Sequence, residues 1–326
     1  MQTHGTGTLR WMIALSAGLL LAAASSAPAA DAPLRWKFKS GDKLNYVMER
    51  TAEGKLNLSG ADIEFKATMI FDTTWNVKSV ADDGTANIEQ PVDRVQINMS
   101  SPLGGSLEYD SANPTAPDSP IWAQMEPMFG GMMGDTFKWK VSSQGKVADV
   151  ELTKKLNELF ATQKQGGNRQ QGFGIGNNMF SDKGIKEFIE KSVLPLPAEA
   201  PGQNVSWKQH FDNPIRGIGT QMQDTTYSFT GSETLDGKSV LKIASSTELT
   251  FEPADNAQAD LEITSQESKA TFYFDPAAGH MIKSTSMQSS GLELSGARDL
   301  TQEIKETTVM KLGKSPAAKP AEAKAK

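Results

Sequence analysis

Asp62-Ile63-Glu64-Phe65-Lys66-Ala67-Thr68-Met69-Ile70-Phe71-Asp72-Thr73-Thr74-Trp75-Asn76-Val77-Lys78-Ser79-Val80 is the stretch that decides the fold. Ile63, Phe65, Ala67, Met69, Phe71, Trp75 and Val77 fall on odd positions, whereas Asp62, Glu64, Lys66, Thr68, Asp72, Asn76 and Lys78 fall on even ones. A period of two with one polar side predicts a β-strand with one face buried and the other in water. The stretch far exceeds the usual strand of about 5–6 residues, so it must coil or bulge to stay with its sheet.

The strand recurs. Asp72-Thr73-Thr74-Trp75 leading to Asp83-Gly84 is echoed by Asp224-Thr225-Thr226-Tyr227 leading to Asp236-Gly237, at offsets of 152 and 153 residues. An internal duplication of a β-meander follows. Upstream, Leu34-Arg35-Trp36-Lys37-Phe38, then Gly41-Asp42, then Leu44 and Tyr46 reads as strand, turn, strand. Downstream of Asp82-Asp83-Gly84, the apolar phase changes between Ile88 and Val95, with Pro91 at the switch, which predicts a bulge or an edge position. Leu152, Leu156, Leu159 and Phe160 have helical spacing, so a short helix is expected over 150–161. A second helix starts at Ser181, presents Ile185, Phe188, Ile189 and Val193, and is stopped by Pro195. Val205, Trp207 and Lys208 open the second copy and echo Trp36-Lys37. Its phase changes again between Ile263 and Ala270, and Gly279 in a hairpin turn matches Gly145 in the first copy.

The domain reading is a signal peptide at 1–30, a first β module at 31–150, a helical and Gly/Gln-rich connector at 151–203, a second β module at 204–312 and an Ala/Lys/Pro tail at 313–326. The expected class is mainly β with minor α, as two pseudo-repeated, coiled antiparallel meanders with one or two short helices between them. Arg10, an apolar run from Trp11 to Ala24 and the small-x-small site Ala27-Pro28-Ala29 give the layout of a secretory signal. A periplasmic or extracellular location follows as an expectation, and no later segment is long and apolar enough for a transmembrane helix. The 326 residues contain no cysteine, so burial rather than disulfides must stabilise the chain. A net charge of −6 without a basic stripe argues against nucleic acid.

The opening Leu34-Arg35-Trp36-Lys37-Phe38 with Gly41-Asp42 and Tyr46, the Leu194-Pro195 to Trp207 junction, and the Phe272-Tyr273-Phe274-Asp275 to Gly279 hairpin resemble a family of secreted bacterial domains of unknown function. That family brings no catalytic residues. The long meanders with few helices are also similar to the curved half-barrels of periplasmic lipoprotein and lipid carriers, a likeness of fold alone.

Catalytic chemistry finds little purchase. Beyond residue 30 the histidines are His210 and His280, neither within a nucleophile-elbow pattern. A zinc site would lack its usual Cys and His ligands. Gly172-Phe173-Gly174-Ile175-Gly176 lacks the Lys-Ser/Thr ending of a phosphate loop. Asp82-Asp83-Gly84 and Asp255-Asn256 lack EF-hand spacing. The unusual constellation is Trp122, Met125, Met128, Phe129, Met132 and Met133. Its thioethers suit Cu(I), or the segment is an adaptable apolar filler or lid, the reading favoured by Pro127, Gly130, Gly131 and Gly134. These six are the candidate contacts for an apolar ligand such as a lipid, and no cofactor or metal is expected. The expected function is therefore non-enzymatic binding of an apolar molecule or a partner chain in a concave β surface. A structural or interaction module of the cell envelope is the alternative, and a hydrolase with an acidic site ranks last.

Overall fold

The computed structural model describes residues 32–58, 60–102, 105–165, 181–200, 202, 205–215, 217–296 and 299–315. The expected signal peptide at 1–30, most of the Gly/Gln-rich run and the end of the tail lie outside these residues. The elements run β1 (Lys43–Leu58), β2 (Ala61–Val80), β3 (Ala86–Ser101), β4 (Gly105–Asp110), α1 (Pro120–Met132), β5 (Thr136–Val141), β6 (Val147–Glu151), α2 (Lys154–Gln165), α3 (Asp182–Ser192), β7 (Ser206–Ile215), β8 (Gly219–Leu235), β9 (Lys238–Pro253), β10 (Ala259–Asp275), β11 (His280–Gly296) and β12 (Leu300–Leu312).

The fold is mainly β. Among the described residues twelve strands join one antiparallel sheet in the spatial order β6-β5-β3-β2-β1-β12-β11-β10-β9-β8-β7, with β4 also on β3. Each half of the chain is a meander, and the halves meet where β1 pairs β12. Traced from the β7 edge, the second half comes first in space and the first half continues it.

Period two set the faces. In β2, Ala67, Met69, Trp75 and Val77 are buried while Lys66 and Lys78 are exposed. Met48 faces Phe71 on one side and Met310 on the other, so one inward row crosses three strands. The long strands keep company by bulging. The β2–β3 register shifts beside Asp93, two residues after Pro91. Pro91 is also the last β3 residue paired with β5, and beyond it the strand's neighbour is β4. The β10–β11 register shifts between Ile263 and Ser265, where the phase change predicted it.

Residues 34–38 are not a ladder strand. Trp36 N–H donates to Ser143 O (2.8 Å) in the β5–β6 turn, and Lys37 N–H donates to Gly279 O (3.0 Å) in the β10–β11 turn. Donors bonded to two separate turns make a strap across one end of the sheet. Its Leu34, Trp36 and Phe38 point into the core. The strap explains Gly279, and the chain after α3 together with the strap's Trp36 explains Gly145. At Gly145 (φ +81°) a Cβ would lie 2.3 Å from Leu194 O, and at Gly279 (φ +71°) 2.6 Å from Lys37 N.

The sequence also misplaced helical boundaries. Residues 147–151 continue as β6, so α2 starts at Lys154 rather than 150. The methionine segment is itself a helix, α1, which makes three helices among the described residues. Gly131 there is not a flexible point: a Cβ on it would sit 2.8 Å from Leu156 Cδ2, and its carbonyl accepts from Thr153 Oγ1 (2.7 Å). Glycine lets α2 approach α1 closely.

An aromatic group fills the strapped end. Trp75 lies 4.7 Å from Tyr46, 4.9 Å edge-on to Trp139 and 5.9 Å from Trp36 (ring centroids), and Trp36 meets Phe274 edge-on at 5.5 Å. Burying each such side chain is worth roughly 1.5–3 kcal/mol, so this end anchors the sheet. Burial pushes the Tyr46 hydroxyl far up, and it stays a donor to Met281 O (3.0 Å).

Candidate functional site

Helix α3 organises the site. Ser181 Oγ caps it by accepting from Gly184 N–H (3.0 Å), Asp182 sits in the first turn and Lys191 in the last, and each complements the helix dipole. Its apolar side carries Ile185, Phe188 and Ile189. Its polar side reaches the far edge of the sheet, where Lys183 Nζ donates to Asp212 O of β7 (3.1 Å) and Lys191 Nζ donates to Gln223 Oε1 of β8 (3.0 Å). Lys191 also stands 5.2 Å over the Phe211 ring. Burial pulls its ammonium below the ordinary lysine range, and Glu187 and Glu190 oppose the shift.

Both halves grip the chain just after α3. Trp36 Nε1 donates to Leu194 O (2.9 Å) and Trp207 Nε1 donates to Pro195 O (3.0 Å). The two tryptophans that echo each other in sequence thus hold adjacent carbonyls. The chain just after α3 is fixed by these two indole bonds, whereas the helix itself is held by its buried Ile185 and Ile189 and by the lysine contacts to β7 and β8.

Between α3 and the sheet lies a narrow apolar crevice of about 40 Å³, closed down to little more than the space of a water molecule. Met48, Phe71, Trp75, Met132, Phe188 and Met310 are among its walls. A few polar groups join them. Gln90 accepts from Trp139 Nε1 (2.9 Å), and Thr73 and Ser192 also line the space. Trp75 is fully buried, and its Nε1 has no hydrogen-bond partner. An apolar slot with a buried spare donor in its wall would suit an apolar molecule with one acceptor group only after α3 moves to widen it, because small-molecule sites need several hundred Å³.

Of the six candidates read from the sequence, Met132 lines this crevice. Trp122, Met128 and Phe129 are buried within the core: Trp122 packs 4.1 Å from Tyr109 and 6.3 Å from Phe129, which reaches Phe71 at 6.5 Å. Met125 and Met133 are partly buried against the same core. The crevice walls missed by sequence reasoning are Met48, Trp75, Phe188 and Met310. Each had a visible signal, an inward strand position or a helix face, but nothing local said that these positions meet.

Elsewhere the chemistry is sparse. A second, open and larger depression of about 490 Å³ is lined largely by charged and polar groups such as Asp135, Lys138, Glu151 and Lys154. His210 bonds Asp224 through Nδ1 and Asp212 through Nε2, both at 2.8 Å, so both nitrogens are occupied by carboxylates. Asp224 first and Asp212 second raise its pKa above the ordinary value. His280 Nε2 donates to Lys37 O (2.8 Å), and burial lowers its pKa. It serves the strap rather than standing solvated in its turn. Among the described residues no three His, Asp or Glu side chains are placed to hold a metal ion, and no helix is long and apolar enough to cross a membrane.

No curated protein matches the sequence. Among solved structures, a lipovitellin structure on lipid–protein interactions is 12% identical and covers 87% of this chain and 27% of that one (TM-score 0.45). This chain therefore spans about a quarter of the lipovitellin chain. An outer membrane channel from Pseudomonas putida F1 is 9% identical over 84% of this chain and 97% of its own (TM-score 0.26). An outer membrane lipoprotein-sorting protein domain from Vibrio parahaemolyticus is 9% identical over 84% and 87% (TM-score 0.13). With every TM-score below 0.5, these likenesses carry no argument about function. The family match is of another kind: it spans the Leu194-Pro195 to Trp207 junction and the Phe272 hairpin, while the 34–46 opening precedes it. Residues 83–279, more than half of the sequence, match the family of unknown function DUF6263, and the chain belongs to that family.

Proposed function

We propose that this is an exported, non-enzymatic binding protein that takes an apolar molecule, a lipid or lipid-modified chain, into the crevice beneath α3. The observation that carries the reading is the crevice itself: apolar walls from five strands and two helices, with one buried unpartnered indole N–H. The mounting of α3 supports it. Indole bonds fix the chain at Leu194-Pro195, while α3 lies on the slot through Ile185, Phe188 and Ile189, so a movement of this one helix about that fixed end would widen the slot. The signal-like residues 1–30 support export.

The test is organic extraction and mass spectrometry of protein purified from an exporting host, beside Phe188→Glu, which places a carboxylate at the crevice wall. A stoichiometric apolar compound in the parent and its loss in the variant are expected. Clean parent protein that also fails to take up a fluorescent fatty acid overturns the reading.

One observation favours a second reading, pairing with a partner strand. Strands β9 and β10 pair only over 241–246 and 269–274 and then part. In the gap Gln266 takes the place of a neighbouring strand: Leu249 N–H donates to its Oε1 (2.6 Å), and its Nε2 donates to Leu249 O (2.9 Å). An opened ladder offers backbone groups to an extended segment. Protection of the 247–253 amides from hydrogen exchange by an added peptide would support it.

A further inference from the structure

The outer face of the second half carries a feature that the crevice does not use. Lys242, Tyr273, Lys283 and Lys311 lie side by side in one row across β9, β10, β11 and β12, as the pairs Lys242–Tyr273, Tyr273–Lys283 and Lys283–Lys311 show. Two rows on, Lys269 and Met287 are paired on the same face. The other six positions in these three rows are valine, alanine, threonine or serine, and none is acidic. Four lysines thus share one grid on a chain whose net charge is −6. Lys269 is matched by Glu267 (2.7 Å), and Lys242 by Glu233 at a looser 3.8 Å. Among the described residues no carboxylate lies within ion-pair distance of Lys283 or Lys311.

Like charges directly opposite on neighbouring strands are destabilising, so the Lys283–Lys311 pair costs the fold something unless an anion lies across it. Lys242 and Lys283 flank the Tyr273 ring at 5.9 and 5.7 Å, which holds the ring up between two cations. Met287 is 63% exposed, the one large hydrophobic side chain so exposed among the described residues. A basic face with a phenol and a bare thioether side chain matches the interface of a bilayer, where ammonium groups meet headgroup phosphates and amphipathic side chains sit at the boundary.

We infer that the outer face of β9–β12 docks on an anionic lipid surface, with Lys242, Lys283 and Lys311 on the phosphates and Tyr273 and Met287 entering the headgroup layer. Such docking places the protein beside a source of apolar molecules, but it is independent of whether the crevice takes one up. The experiment is co-sedimentation of the chain, purified from an exporting host, with vesicles of phosphatidylglycerol and phosphatidylcholine or of phosphatidylcholine alone. The comparison is between the parent and the triple variant Lys242→Gln, Lys283→Gln, Lys311→Gln, so contributions of the termini cancel. Expected are binding to the anionic vesicles that falls with added salt, and a loss of at least about tenfold in the triple variant. Met287→Asp should lose a further few-fold, and the triple variant should unfold at the same or a higher urea concentration, because repulsion has been removed. Equal binding by parent and triple variant, or equal binding to both vesicle types, overturns the inference. So does retention on immobilised polyphosphate without vesicle binding, which would make the face a site for a soluble polyanion.

Discussion

Strands β2 and β8 occupy the same place in their meanders and face differently furnished interiors. At an offset of 152, Met69, Phe71, Thr73, Trp75 and Val77 correspond to Gln221, Gln223, Thr225, Tyr227 and Phe229. The positions nearest the strapped end are aromatic or aliphatic in both. Farther along, β2 continues apolar, and α1 and α3 cover it, whereas β8 turns to glutamine and satisfies itself within the sheet. There Thr225 and Thr247 bond through their hydroxyls (2.9 Å), and Tyr227 OH donates to Gln209 Oε1 (3.0 Å). A duplicated strand plan thus yields a covered half and a barer one, because helices stay only where inward side chains are worth burying. The polar side of α3 then finds its partners on the barer half, at Asp212 and Gln223.

The sharpest way to break this comparison is to truncate the paired aromatics. Trp75→Ala should cost about 3–5 kcal/mol, in the range for a large aromatic removed from a packed core. Tyr227→Ala should cost less, about 2 kcal/mol, because its ring packs on Trp207 and Phe272 without a helix above it. Urea unfolding of both variants measures this, and equal costs would show that the halves are equally packed. A smaller effect separates the turns. Gly279→Ala meets both a positive φ and the strap's backbone, and should lose about 2–3 kcal/mol. Gly237→Ala has nearly the same φ (+77°) with nothing within 4 Å, and should lose about 1 kcal/mol. The smallest effect is in the histidines. NMR titration should place His210 above the ordinary value of 6.5 and His280 below it. What His210 contributes between β7 and β8 is complete below 6.5 and lost as pH rises through its folded pKa. The contribution of His280 at the strap runs the other way, present above 6.5 and lost as pH falls through its folded pKa.

Much of this architecture was legible because strands write their faces locally. The odd positions of 63–77, the bulge after Ile263, the cap at Ser181 and the turn glycines were readable from a few residues each. What the sequence hid was set by distant partners. Gly130, Gly131 and Pro127 spoke for mobility in the methionine segment, yet Gly131 is small so that Leu156 can close in. Residues 34–38 alternate like a strand but bond to two turns, each more than 100 residues away. The crevice draws on positions 48, 75, 188 and 310, so no local pattern announces it.

The junction of β1 with β12 has a consequence for how the molecule is made. Its partners, from Leu58 with Leu300 to Tyr46 with Leu312, stand about 240–270 residues apart. Contacts of such long separation form slowly, because a large loop must close before they give anything back. The first meander therefore waits, with one side of β1 bare, for the last strand to be synthesised. A chain cut before Leu300 would lose the middle of its sheet rather than an edge, leaving two incomplete halves with unpaired strands facing each other.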